Sequence, residues 1–318
     1  LDSKTTSPVT QREGGLAAFP LKSIIQKRVP WFRGDMALAV IVLSPSILAT
    51  AIFIYGFILW TGYISTVKWN SAVEDYTFVG LQNWIQLFGM ERFQWDLRNL
   101  VLFAAGFMLQ CIVFGFLIAV LLNQKIKGEA LFRTIVVLPF AVSGIVTGVA
   151  WRWLMQPSTG INLLLQQAGL TNFYFEWNSH PQVGILAVSL AAAWQFTGYI
   201  MALYLAALRG ISEEVIEAAR VDGANTYRLY RHIIIPLLMP VTFTAIVLTG
   251  MGSIRAFDLV TVLTGPAFST DTLAFHMYQA IFGQYRFSLA AAIGFFMIIL
   301  SLFLVIPYLR SMRDEVER

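Results

Sequence analysis

The residues with chemistry to offer are the polar ones that interrupt the long apolar runs of this sequence. One run carries Trp194, Gln195 and Tyr199, another carries Thr249 and Ser253, and a third carries Gln110. Amides, hydroxyls and aromatic faces suit an uncharged, hydroxyl-rich solute held by hydrogen bonds and ring contact in a partly dry cavity. Spacings of four and five residues keep Trp194 near Tyr199, and Thr249 near Ser253, on one side of a helix. The same residue types also bridge helices within membrane bundles, so both roles stand for them.

Other chemistries are missing. No Gly-x-x-x-x-Gly-Lys-Ser/Thr stretch occurs and no lysine follows a glycine, so nucleotide phosphates have no cradle here. His-Glu-x-x-His and Gly-x-Ser-x-Gly are absent too, which argues against an enzyme. Cys111 is the single cysteine, and His180, His232 and His276 are scattered; neither an internal disulfide nor a metal or other cofactor is expected. No basic groove with interleaved aromatics suggests nucleic acid.

Only 13% of the 318 residues are charged and 57% are apolar, far from the ~25% charge of ordinary soluble domains. The sequence predicts an all-α membrane protein. A polar tail (1–35) precedes six uncharged stretches at about Met36–Ser65, Asn99–Asn123, Thr134–Trp151, Val183–Leu208, Pro236–Ile254 and Phe287–Leu309, and a short tail (311–318) follows. Each approaches the ~20 residues that cross a bilayer as a helix, and neighbouring helices are expected to absorb Pro45 and Pro139. Residues 36–310 thus form one transmembrane domain with lipid around it, and no removable leader is expected ahead of it.

These stretches lack Asp, Glu, Lys and Arg. Ion-coupled carriers keep ionisable groups or broken helices at the membrane centre, so a self-powered carrier is disfavoured, as is a charged solute; Arg255 is the one cation near the pathway. Lysine and arginine set the orientation. With both termini inside, inner segments hold Lys22, Lys27, Arg28, Arg33, Lys125, Lys127, Arg133, Arg209, Arg220, Arg228, Arg231, Arg310 and Arg313, against six such residues outside. Trp60, Trp69, Trp84, Trp95, Trp151, Trp153 and Trp177 gather at the outer boundary. Glu74, Asp75, Glu91, Asp258 and Asp271 fall outside, as solvated charges or as contacts for an external protein.

Between the fourth and fifth stretches lies a polar loop (209–236) that reads as two short helices. Ser212 is an N-cap, Glu213 and Glu214 occupy the favourable first turn, and Gly223 ends the first helix; the second starts near Asn225 or Thr226 and runs to Pro236. Glu217-Ala218-Ala219, then Asp222-Gly223, then Ile233-x-Ile235-Pro236 resembles the EAA loop of ABC importer permeases, with Ile235 where leucine is usual. Val79-Gly80-Leu-Gln-Asn83-Trp84, Phe132-Arg133-Thr134 with Leu138-Pro139, and Phe257-Asp258 with Leu263-Thr264-Gly265 resemble landmarks of the maltose and glycerol-phosphate group, on the branch that pairs with a second permease. The Gly-Gly-Pro usual there is reduced to Gly265-Pro266.

The resemblance implies a subunit in a bacterial or archaeal cytoplasmic membrane with both termini inside. It implies a second, homologous permease as partner, two ATPase subunits that bind ATP and magnesium, and an extracytoplasmic binding protein that delivers a sugar. Glu217, Ala218, Ala219, Asp222 and Gly223 would receive the ATPase, and the helices flanking the loop would line the sugar path, with Tyr199 as a site aromatic. The alternatives are another polyol or glycerol-phosphate-type solute, or an ion-coupled carrier.

Overall fold

In a computed structural model, residues 35–124, 126–172, 174–177, 180, 184–265 and 269–316 are described. The tail ahead of Asp35, Pro266 and the last two residues lie outside them. Among the described residues the chain is helical, with one isolated bridge between Val67 and Phe78. It divides into two units at Ile58/Leu59.

The first unit contains α1 (Asp35–Thr50), which passes through Pro45, and a π-helical turn (Ala51–Gly56). Val42, Ile47, Ile52 and Phe53 are 60–65% exposed, as expected of side chains that face hydrocarbon rather than water. The helical run Leu38–Ile64 is long and apolar enough to cross a membrane.

The second unit begins with α2 (Phe57–Ile64 is the full helix) and α3 (Gln82–Gly89). Asn83 is buried and donates to Ser65 O and Val67 O (3.0 and 2.7 Å), while its Oδ1 accepts from Asn70 Nδ2 at 2.9 Å. One side chain thereby satisfies backbone groups of the loop that follows the first span. The long α4 (Glu91–Leu122) packs along α8 (Gly184–Gly210), and these two build the main core around Phe107, Cys111, Ile200, Met201 and Tyr204. The last helix, α15, covers Phe287–Val316.

Two of the six expected spans are not straight. The third is α5 (Glu129–Val137), a 3₁₀ turn (Leu138–Ala141) and α6 (Gly144–Leu154), bent by 100°. Pro139 has no N–H to continue the helix, and the chain leaves the turn extended at Val142 before Ser143 accepts from Val146 N to start α6. Pro139 thus breaks the span, and a neighbouring helix compensates as expected, since Gln195 of α8 donates to Val142 O; Pro45 lies within a continuous helix. The fifth begins earlier than expected: α10 (Thr226–Leu229), a π turn (Tyr230–Ile234) and α11 (Ile235–Leu237) lead into α12 (Met239–Ile254) through a 62° bend. Pro236 sits inside the helical run rather than ending it, and Pro240 opens the next segment. Counting each bent pair once gives up to six spans; four are unbroken.

The third span is held by contact at backbone distance. A Cβ on Gly198 would lie 2.1 Å from Val136 O, so only glycine lets α8 cross α5 there. Between α12 and α15 lie α13 (Asp258–Leu263), which packs on α6, and α14 (Leu273–Phe282), which packs on α15 and α4; α7 (Gly160–Gln167) and α9 (Glu213–Val221) are the remaining short helices.

Candidate functional site

The polar loop after α8 folds as two short helices, and its joint is a complete Schellman closure. Gly223 has φ +79°, its N–H donates to Arg220 O at 3.0 Å, and Ala224 N donates to Ala219 O at 3.0 Å. These bonds satisfy carbonyls that a helix end leaves open, and the left-handed residue they need is glycine. Ser212 stands at the N-cap position, but its side chain caps nothing; Asn225 caps the second helix, accepting from Arg228 N at 2.9 Å. Glu217, Ala218, Asp222 and Gly223 are exposed, while Ala219 is buried against the core. Val221 and Tyr227, which the sequence reading passed over, are 87% and 68% exposed. Arg209 braces the base of this knuckle through Glu129 Oε1 at 2.6 Å.

Trp194, Gln195 and Tyr199 of α8 all engage the broken third span, each differently. Gln195 donates to Val142 O at 2.5 Å and so satisfies a carbonyl that the break frees. Tyr199 stacks on Phe140 of the 3₁₀ turn, centroids 4.9 Å apart and planes 14° apart. Trp194 meets Trp151 edge-on at 6.0 Å. Of these only Trp194 lines a cavity of about 350 Å³, together with Gln110, Phe114, Trp151 and Thr197. The Gln110 amide N–H groups bond Gly106 O and Ser189 Oγ at 2.9 and 3.1 Å, which leaves its carbonyl to accept from a solute hydroxyl.

Thr249 and Ser253 are not brought to this cavity. Both are buried on α12 and donate within their own helix, to Ala245 O at 2.7 Å and Thr249 O at 2.9 Å. Another cavity, about 240 Å³, lies among Ile112, Phe116, Tyr204, Leu238 and Thr242. It suits a hydroxylated solute less: Tyr204 donates to Thr242 (2.9 Å), which donates on to Leu238 O.

Asp271 is a correction. It is 1% exposed and paired with Arg92, so it offers nothing to an external protein; Glu74 and Asp258 remain exposed. Sequence reasoning also missed His276 and Asp96, a buried pair. Only the i, i+4 repeat of Arg92 and Asp96 ahead of the second apolar run hinted at it.

A set of apolar helices long enough to span a membrane, two of them broken, with an amphiphilic knuckle on a connection and a mostly apolar cavity carrying a few polar groups, defines an integral membrane transport component. Residues 111–311 match the binding-protein-dependent transport system inner membrane component family, and the chain belongs to that family. A probable ABC transporter permease protein of Pyrococcus horikoshii is 38% identical over 278 residues, spanning 86% of this chain and 95% of the relative. The xylose/arabinose import permease protein XacH of Haloferax volcanii is 33% identical, across 81% of this chain and 83% of the relative. The fold is shared with a bacterial ABC transporter involved in the import of the acidic polysaccharide alginate: TM-score 0.72, 22% identity, 92% of this chain and 98% of that one.

Proposed function

We propose that this chain is the permease subunit of an ATP-driven importer that moves an uncharged sugar across the cytoplasmic membrane by alternating access. It works with a second permease, two ATPase subunits and an extracytoplasmic binding protein. ATP and magnesium bind to the ATPases, and this chain carries no catalytic group. Both termini and the α9 knuckle face the cytoplasm, in line with the excess of lysine and arginine in those segments.

The observation that carries the reading is the exposed, Schellman-closed knuckle at the end of α8. That helix also bears Trp194 and touches the broken third span through Gln195, Gly198 and Tyr199. A push on Glu217, Ala218, Asp222 and Gly223 therefore reaches the cavity wall through one rigid rod. The cavity supports a sugar: Trp194 and Trp151 offer ring faces, Gln110 an acceptor, and no ionisable side chain lines it. Import of xylose/arabinose, trehalose/maltose and glucose is named for three relatives.

The test uses the assembled complex in proteoliposomes. Glu217→Lys reverses the charge at the knuckle, and Gly223→Pro forbids its positive φ and removes the N–H bonded to Arg220. Both are expected to leave the chain in the membrane and abolish substrate-stimulated ATP hydrolysis. Normal stimulated hydrolysis in both would overturn the docking role.

A further inference from the structure

A buried charged cluster joins α4 to α14 and the residue just before it, and the transport reading makes no use of it. Arg92, Asp96 and Asn99 follow one face of α4 at helical spacing. Arg92 Nε donates to Asp271 Oδ2 at 2.7 Å, and Asn99 Nδ2 donates to Asp271 O at 3.0 Å. Asp96 Oδ2 and His276 Nδ1 are 2.5 Å apart, with side chains 0% and 1% exposed. Leu87, Phe93, Leu273 and Ala280 form an apolar cluster alongside. Replacing such buried pairs by well-packed apolar residues is often neutral or stabilising, so a fixed arrangement is the better reason to retain them.

The cluster is also incomplete. Asp96 Oδ1 and His276 Nε2 are buried with no hydrogen-bond partner among the described residues, and a half-satisfied buried network is less stable than a satisfied one. Burial holds the Asp271 carboxyl above the usual range, and nearby Asp96 adds to this, while Arg92 opposes both. Opening the cluster to solvent would give both atoms partners.

What it holds shut leads to the cavity. Thr272 Oγ1 donates to Ala256 O at 2.9 Å and ties the start of α14 to the residues just before α13. In turn α13 packs on α6, closely enough that a Cβ on Gly148 would stand 3.0 Å from Val262 Cβ. On α6 sits Trp151, which meets Trp194 at the cavity wall.

We propose that Arg92, Asp96, Asp271 and His276 are positioning residues that form a latch: it seats α14 on α4 at rest and opens during the transport cycle, and the tie from Thr272 to Ala256 passes the movement to α13, α6 and Trp151. The proposal rests on the reading of the chain as an ATP-driven permease. Hydrogen exchange of residues 270–282 is compared in the assembled complex without nucleotide and trapped with ATP and vanadate, alongside basal hydrolysis. Exchange is expected to be slow at rest and faster when trapped.

Asp96→Asn and His276→Gln should speed exchange at rest and raise unstimulated hydrolysis about fivefold or more, the scale of ordinary coupling between sites. Arg92→Lys, which keeps the cation, should stay near the wild type. Equal exchange of the wild type in both states overturns the latch, a result that needs no variant to fold; so does wild-type basal hydrolysis in both neutral variants. A wild-type complex without ATP-driven uptake is a different failure, that of the transport reading itself.

Discussion

Single residues divide by what satisfies them. Gln195 is spent on Val142 O, and Thr249 and Ser253 on their own helix, whereas Trp194 and Gln110 line the cavity. Trp194→Ala is therefore expected to raise the apparent KM for uptake about tenfold, the equivalent of ~1.4 kcal/mol of lost ring contact, while Thr249→Ala leaves KM unchanged. Uptake titrations on the two variants check both; a normal KM in Trp194→Ala removes the cavity from the pathway. The sequence made these residues legible as polar groups in apolar runs. It could not tell a group turned to a cavity from one bonded to its own backbone, because residue type and spacing are alike for both. His276 and Asp96 escaped notice because they lie about 180 residues apart in sequence and meet only once α14 folds onto α4.

At the scale of elements, the broken third and fifth spans are the features that composition concealed. An uncharged stretch of the right length reads as one helix, and Pro139 reads the same whether it kinks or ends it. Pro45, by contrast, sits within a continuous helix, so the outcome depends on neighbours. For the third span that neighbour is α8, through Gly198. Gly198→Ala places a methyl group 2.1 Å from Val136 O and must push the elements apart, at a cost of about 3 kcal/mol, the upper end for overpacking. The expected result is a lower melting temperature of the purified complex and poorer uptake; an unchanged melting curve would mean that α8 and the third span do not meet as described. The knuckle was far more legible. Its ends are set by glycine conformation and an asparagine cap, both local effects that travel with the sequence; only the capping role of Ser212 did not hold.

Each of the two units carries exposed apolar side chains along its spans, and the second adds a polar knuckle at one connection. Val42, Phe53, Leu59 and Phe303 are each more than half exposed, which water would not tolerate over so large an area and which lipid or a second permease would cover. Membrane class, the number of apolar stretches and the two-helix form of the polar loop were all legible from hydropathy and motif spacing. The cavity was not, since it arises where α4, α8 and the broken third span meet. On this account force enters at the knuckle from the cytoplasmic side. The most direct measurement is labelling of Val221→Cys by a membrane-impermeant maleimide; Val221 is 87% exposed and the native Cys111 is buried. The account predicts rapid labelling in inside-out vesicles stripped of ATPase subunits, protection once those subunits rebind, and no labelling from the outer face. Labelling from outside, or labelling indifferent to the ATPase, would contradict it.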